Sequence, residues 1–477
     1  GKVYRWNGKQ LESVHGVKGW KQAVVSIVVT PHSVVIGGRK GIAFLSLPDL
    51  SHESSFDLMG SCVKILDDVG RPLTHTPAGK PPTAKSLSWT NDRLLIGTSS
   101  SQIFELVLPG NELTLLLQGH CSSRPAQMHA ADELFRGEVR GLATHPTLQQ
   151  FVTCGNDSTL RIWDIEQREC VALRSLLFPA RCAQYSPDGS VIAVGSVDGS
   201  LYMLNAVSLA LLTDNVKVRK AAVTDMKFAP DGRTLAVASD TMVDLYSTDN
   251  VHEASTFKRS GVCKGHNAEI LHLDWAQDCT VLRTCSDNEL VFWDVGVLPP
   301  SPESAAQLDP QSERCSDAEW ATNSCQLGWA VQGAVPESGD ASDLTCCAST
   351  HSASVIAVGG AAASVSLFAF PCVDKLCEAR VSARAHGESV ANMRWSCSDD
   401  VLLSVGGADL SICQWRHGKK PRKPDGNTTT ESTDQIEFEG RVDAAKRIQR
   451  AFRQRKVRQE LRELEDRRQF LMASLHM

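Results

Sequence analysis

The stretch Val139-Arg-Gly-Leu-Ala-Thr-His-Pro146, followed by Gln150-Phe-Val-Thr-Cys154 and then Gly155-Asn-Asp157-Ser-Thr-Leu-Arg-Ile-Trp163-Asp164, decides the fold. It holds three short apolar runs of strand length, separated by polar and Gly/Asp turns, and the third ends in an aromatic. The pattern returns at Cys182–Leu204, Val223–Tyr246, Ile270–Trp293 and Val390–Trp415. Two copies carry the turns Pro187-Asp-Gly189 and Pro230-Asp-Gly232, in which proline presets φ and glycine accepts a positive φ. An aspartate precedes the closing aromatic by six in four copies: Asp157 and Trp163, Asp240 and Tyr246, Asp287 and Trp293, Asp409 and Trp415. Successive turn aspartates, Asp157, Asp198, Asp240 and Asp287, stand 41, 42 and 47 residues apart.

That period is close to the ~40–45 residues of a WD-type propeller blade. Gly119-His120 and Gly265-His266 supply the matching Gly-His pairs, and Trp163-Asp164 and Trp293-Asp294 the Trp-Asp pairs. Four-stranded blades in a closed ring leave only short, protected edges. The expected fold is therefore all-β: a WD-repeat β-propeller of about seven blades, a partial preceding propeller and a C-terminal α-helix. His120, Asp157, Trp163, His266, Asp287, Trp293, Asp409 and Trp415 read as structural blade residues, with Asp157, Asp287 and Asp409 buried against turn backbone. Weaker copies lie at 21–48, 84–107, Ala318–Val335 and Leu344–Phe370, and counting from 139 to 415 gives seven blades. Cys121–Gly137 and Leu298–Gln311 read as surface loops. The expected division is 1–115 as the end of a preceding propeller or extra blades, 116–416 as the propeller, 417–435 as a polar linker and 436–477 as a helix.

Composition narrows the function. Of the 477 residues, 42% are apolar and 22% charged, a globular balance. No apolar run reaches the ~20 residues of a membrane helix, and no apolar leader opens the chain, so membrane insertion and secretion are not expected. Residue 1 falls in a strand-like stretch, which reads as a piece of a longer protein. The 16 cysteines include no CxxC pair; Cys154, Cys182, Cys285, Cys325, Cys346 and Cys413 sit in or beside apolar runs, as reduced core thiols do. No metal site is expected. Residues 418–477 hold 15 Lys/Arg and 10 Asp/Glu, so the tail carries +5 and the remaining 417 residues −11 of the net −6. An acidic body argues against nucleic-acid binding. There is no phosphate-cradling Gly loop, nucleophile elbow or HExxH, so neither an enzyme nor a cofactor is expected.

The tail carries the sharpest motif. Residues 440–473 have no Pro or Gly after Gly440 and are rich in helix formers. Within them lie Ile448 and Gln449, then Phe452, Arg453, Arg458 and Leu461, with the arginines five and ten after Ile448 and the leucine thirteen after. This resembles an IQ motif, which implies a calmodulin or related EF-hand partner. Gln454 stands where the motif usually has glycine. Ile448 and Phe452 share a helix face that Val457, Leu461 and Leu464 extend, and 441–458 holds eight cations against one acid, complementary to an acidic lobe. The competing expectation is a solvated basic helix or one packed along a filament.

Other segments point to a family. Gly1-Lys-Val-Tyr-Arg-Trp-Asn-Gly-Lys-Gln-Leu11, Gly141-Leu-Ala-Thr-His-Pro146 and Gly265-His266 with His272-Leu-Asp-Trp275 are joined by Glu319-Trp-Ala-Thr322 with Cys325-Gln-Leu-Gly328, Pro336-Glu-Ser-Gly-Asp340 and Leu367-Phe-Ala-Phe-Pro-Cys372. Over roughly residues 1–416 the chain resembles the C-terminal part of the tandem propeller of the echinoderm microtubule-associated protein-like (EML) family. The resemblance implies a microtubule-associated structural protein that binds tubulin through propeller surfaces. The family's N-terminal coiled coil and hydrophobic segment have no counterpart here and are expected upstream of residue 1. With an IQ helix attached, the expected setting is cytoplasmic and cytoskeletal, in a ciliary or flagellar axoneme among other axonemal proteins. The alternative is a general cytosolic WD-repeat scaffold or adaptor for signalling or ubiquitin-ligase complexes.

Overall fold

A computed structural model describes most of residues 20–120, 138–296, 304–335 and 344–417, together with two short strands at Tyr4–Trp6 and Leu11–Ser13. The linker at 417–435, apart from residue 417, and the IQ helix at 436–477 lie outside the described residues, as do Cys121–Gly137 and Pro336–Asp340.

Residues 139–164 supply three strands of the first blade, and Cys170–Ser175 adds the fourth. The blade's antiparallel strands are Val139–Thr144, Gln150–Gly155, Thr159–Asp164 and Cys170–Ser175, paired in that order. The register sets Phe151 opposite Trp163 and Val152 opposite Ile162. Four more four-stranded sheets repeat the plan, starting at Val223, Ala180, His272 and Leu344, and a three-stranded sheet runs from Asn392 to Arg416. The sequence count of seven blades therefore becomes six sheets between 139 and 416 among the described residues. The compact copy at Ala318–Val335 is the difference. It follows a one-turn helix at Glu313–Ser316 and contains a 3-10 stretch at Trp329–Ala334, and it forms no sheet of its own. It fills the gap between the fourth and fifth blades, where Val331 and Ala334 pack on Leu344, Cys347 and Ile356. The expected loop at Leu298–Gln311 also needs correction. Ala306–Leu308 is the outer strand of the fourth blade, with Gln307 opposite Trp293. Three prolines and a polar lead-in hid so short a strand.

Apolar residues alternate between the two faces of each blade, so every interface is a core of its own. Val152, Leu160 and Ile162 of the first blade meet Ala183, Ile192 and Leu204 of the second. The sixth blade returns to the first through Leu403 and Val405, packed on Val139, Leu142 and Phe151. Each fully buried aliphatic of this kind contributes ~1.5–3 kcal/mol of transfer free energy. Asn392 Nδ2 donates to Arg140 O at 3.1 Å and Gln149 Nε2 to Ser398 Oγ at 2.8 Å across the same closure.

The inner strands share a β-bulge near their start, between Val139 and Gly141, Ala180 and Cys182, Val223 and Asp225, and Leu344 and Cys346. Such a bulge bends and twists the strand locally. At two bulges a threonine hydroxyl reaches the next blade: Thr224 Oγ1 donates to Ile270 O at 2.6 Å and Thr345 Oγ1 to Val390 O at 2.5 Å.

Two further sheets lie outside this ring. One runs from Val24 to Asp57 and the other from Ala84 to Gln118. They pack on each other through Val35, Phe44, Leu94, Ile96 and Phe104. A short strand between them, Ile65–Leu66, pairs in parallel with Cys170–Ser175 at the outer edge of the first blade.

Candidate functional site

Three blades carry the same buried polar chain. In the first, Trp163 Nε1 donates to Thr153 Oγ1 at 2.7 Å, Thr153 Oγ1 lies 2.8 Å from His120 Nε2, and His120 Nδ1 lies 3.0 Å from Asp157. Thr159 N and Oγ1 also donate to Asp157, at 3.1 and 2.7 Å. Burial pushes the pKa of His120 down, more than Asp157 raises it, so the ring is neutral. Its Nδ1–H then donates to Asp157 and its Nε2 accepts from Thr153. Asp157 is held far below the ordinary carboxylate range: burial opposes its charge, but His120, Arg161 and Thr159 outweigh that cost.

The fourth blade repeats this with Trp293, Thr284 and His266, at 2.8 and 2.7 Å. Its acid is Glu289, 3.1 Å from His266 Nδ1, and the expected Asp287 is exposed. The six-residue spacing misled because this hairpin is tighter, so the acid stands four before the tryptophan. The sixth blade uses Trp415, Ser404, His386 and Asp409, with His386 Nε2 2.8 Å from Ser404 Oγ and Nδ1 3.2 Å from Asp409. His386 escaped the sequence reading because it follows Ala385 rather than glycine. A spacing could have found both missed residues, since each histidine precedes its hydroxyl partner by 18 and its acid by 23 in these two blades. These chains fix the hairpins; the histidines are buried, as is Asp157, while Glu289 and the expected Asp409 stay partly exposed.

The first strands of the six sheets, Val139–Thr144, Ala180–Tyr185, Val223–Phe228, His272–Trp275, Leu344–Ser349 and Asn392–Trp395, are the inner strands around the central channel of the ring and carry its remaining polar side chains. At one level of the inner strands stand Ala143, Gln184, Lys227, Asp274, Ala348 and Arg394; two residues earlier come Gly141, Cys182, Asp225, His272, Cys346 and Asn392. Asp274 is fully buried. Lys227 Nζ donates to it at 2.7 Å, and Arg283 Nε and Nη2 donate at 3.1 and 3.0 Å. The irregular segment supplies the rest: Ser324 N and Cys325 N donate at 3.0 Å and Thr322 Oγ1 at 2.5 Å. Arg283 also stacks over Trp320, 4.2 Å from the ring centre. Burial alone would raise the pKa of Asp274, but Lys227 and Arg283 hold it far below the ordinary range. The compact segment is therefore pinned into the ring by one carboxylate. Asp225 lies 3.7 Å from His272 and accepts from Leu273 N at 3.2 Å. Burial disfavours the charge on His272, yet the nearby Asp225 carboxylate raises its pKa.

At the end of the channel where the inner strands finish, a cavity of about 250 Å³ is lined by Gln184, Tyr185, Lys227, Ser324, Ala348 and Arg394 among others. The expected partner-binding residues Ile448, Gln449, Phe452, Arg453, Arg458 and Leu461 lie outside the described residues.

Residues 139–417 match the family model described as the echinoderm microtubule-associated protein second beta-propeller. The chain is 34% identical over 333 residues to echinoderm microtubule-associated protein-like 2 of Mus musculus, covering 68% of this chain and 46% of that protein. It is 32% identical to echinoderm microtubule-associated protein-like 3 of the mouse, over 68% of this chain and 33% of the relative. It is also 32% identical to echinoderm microtubule-associated protein-like 1 of Homo sapiens, over 68% and 37%. The chain thus spans less than half the length of these relatives.

Proposed function

The chain belongs to the echinoderm microtubule-associated protein family, and from that premise we propose that it is a non-enzymatic scaffold that docks on microtubules through surfaces of its propeller. The observation that carries this reading is the match of the whole closed ring, 139–417, to the family's second propeller. The relatives are named for association with microtubules. The polar side chains of the ring are spent on holding blades and the compact segment together, which suits a rigid docking module. An acidic body meets an acidic lattice, so docking rests on local cations and shape rather than long-range attraction.

The tail adds a second partner. Ile448, Gln449, Arg453 and Arg458 have the spacing of an IQ motif, and the helix they imply binds calmodulin or a related EF-hand protein. A microtubule module joined to such a helix fits the cytoskeleton of a cilium or flagellum, with the chain placed among axonemal proteins. The sheets at 24–118 are proposed as the end of a preceding propeller. Co-sedimentation of the full chain with stabilised microtubules, with and without calmodulin, tests the reading: the chain pellets with the lattice and carries calmodulin down with it. A chain that stays in the supernatant at physiological salt refutes the docking, and calmodulin left in the supernatant refutes the bridge.

A further inference from the structure

The cations of the channel are not treated alike. Lys227 is saturated, its ammonium shared by Asp274, Thr322 and Ser324 at 2.7, 2.9 and 2.5 Å. Arg283 is taken up by Asp274, Asn323 and the face of Trp320. Arg394 is different. Its Nη1 donates to Asn392 Oδ1 and Met393 O of its own strand, both at 2.7 Å. No carboxylate pairs with it among the described residues, and its Nε and Nη2 have no acceptor there. The charges around it do not compensate: among the described residues Lys227, Arg283 and Arg394 face Asp225 and Asp274, three cations against two carboxylates. His351, also in the wall, is paired with Asp399 at 2.7 Å.

The same cavity has unmet polar atoms of the opposite kind. Gln184 Oε1 is buried with no donor among the described residues. Tyr185, 3% exposed in the same wall, keeps an unpartnered hydroxyl. Buried polar groups without partners are costly and uncommon in native structures. A guanidinium with two free N–H groups matches a carboxylate bidentately, and an amide oxygen matches a peptide N–H. At about 250 Å³ the cavity lies below the usual 300–1,000 Å³ of drug-sized ligand pockets, and it accommodates one side chain rather than a cofactor.

We propose that this end of the channel is a socket for a glutamate side chain on an acidic, extended peptide segment of a partner, with the carboxylate on Arg394 and a neighbouring backbone N–H on Gln184 Oε1. The socket does not depend on which protein supplies the peptide.

Trp320 and Trp395 line the cavity and 418–477 contains no tryptophan, so intrinsic fluorescence reads this site without interference from peptide bound by the basic tail. The full chain is titrated with an unlabelled glutamate-rich decapeptide at physiological salt. A saturable change in tryptophan emission is expected, at least tenfold weaker for the glutamine version of the peptide. Arg394→Gln weakens the response at least tenfold, Arg394→Lys less, and Gln184→Leu severalfold without changing charge. Lys220→Gln, which removes an exposed cation elsewhere, leaves it unchanged. Should Arg394→Gln fail to fold, Gln184→Leu and Arg394→Lys decide. No emission change, or equal affinity in Arg394→Gln, Gln184→Leu and wild type, overturns the proposal. So does free glutarate binding as tightly as the peptide, which would make the cavity a small-anion site.

Discussion

Asp274→Ala tests how the compact segment is held. The substitution removes one buried carboxylate and leaves Lys227 and Arg283, 4% and 5% exposed, without a counter-charge. It also strands the N–H groups of Ser324 and Cys325. Breaking one buried ion pair costs ~3–5 kcal/mol. Asp274 serves two cations at once, so the loss belongs at the upper end, ~5 kcal/mol. Against a total stability of ~5–15 kcal/mol that is a large fraction. At ~2–4 °C per kcal/mol for a domain of this general size, melting should fall by at least about 10 °C. Urea unfolding of the full chain, followed by tryptophan fluorescence, measures the loss directly. A double-mutant cycle sharpens it: Lys227→Met should cost less in an Asp274→Leu background than in wild type, because the stranded cation is then gone. Acid provides a second reading. The folded pKa of Asp274 is depressed, so its contribution is complete above the unfolded value of ~3.9 and fades as pH falls below it. Asp274→Asn should lose that part of the acid sensitivity. A loss below ~1 kcal/mol for Asp274→Ala would refute the pinning argument.

Asp157→Ala should cost ~1–3 kcal/mol in urea unfolding, since it leaves buried donors on His120 and Thr159 unmet, whereas the exposed Asp287→Ala should stay within ~0.5 kcal/mol of wild type. The pKa of His120 is lowered by burial, so the unfolded chain takes up a proton that the folded chain refuses; stability should fall as pH drops below ~6.5, and His120→Gln should flatten that slope in melts between pH 8 and 5. Calorimetry of a 436–470 peptide with calmodulin, with and without calcium, should show binding that Ile448→Asp abolishes and Arg455→Ala barely changes, because burying the Ile448 side chain contributes ~1.5–3 kcal/mol and an exposed charge pair ~0–1.

The blades were legible because their determinants are local. A strand period of two, the turns at Pro187 and Pro230 and the closing Trp163, Trp293 and Trp415 all act within a few residues. The compact segment was not legible as what it is. Ala318–Val335 reads as a compact blade copy, and only Asp274 and Arg283, some 40–50 residues away from Thr322 and Asn323, make it wrap around a carboxylate instead. Asp287 was misread for a related reason: the spacing rule assumed a hairpin of constant length, and Glu289 takes its place in a tighter one. Arg394 and Gln184 carried no sequence signal at all. Each is an ordinary polar residue of a short strand, beside Asn392 in one and Arg181 in the other, and only ring closure brings them to one cavity.

Docking through the propeller requires that the ring itself touch the lattice. Cross-linking the full chain on stabilised microtubules, followed by mass spectrometry, reads this directly. Cross-links to tubulin from residues within 139–417 are expected. Cross-links confined to 418–477, with none from the ring, would contradict that docking.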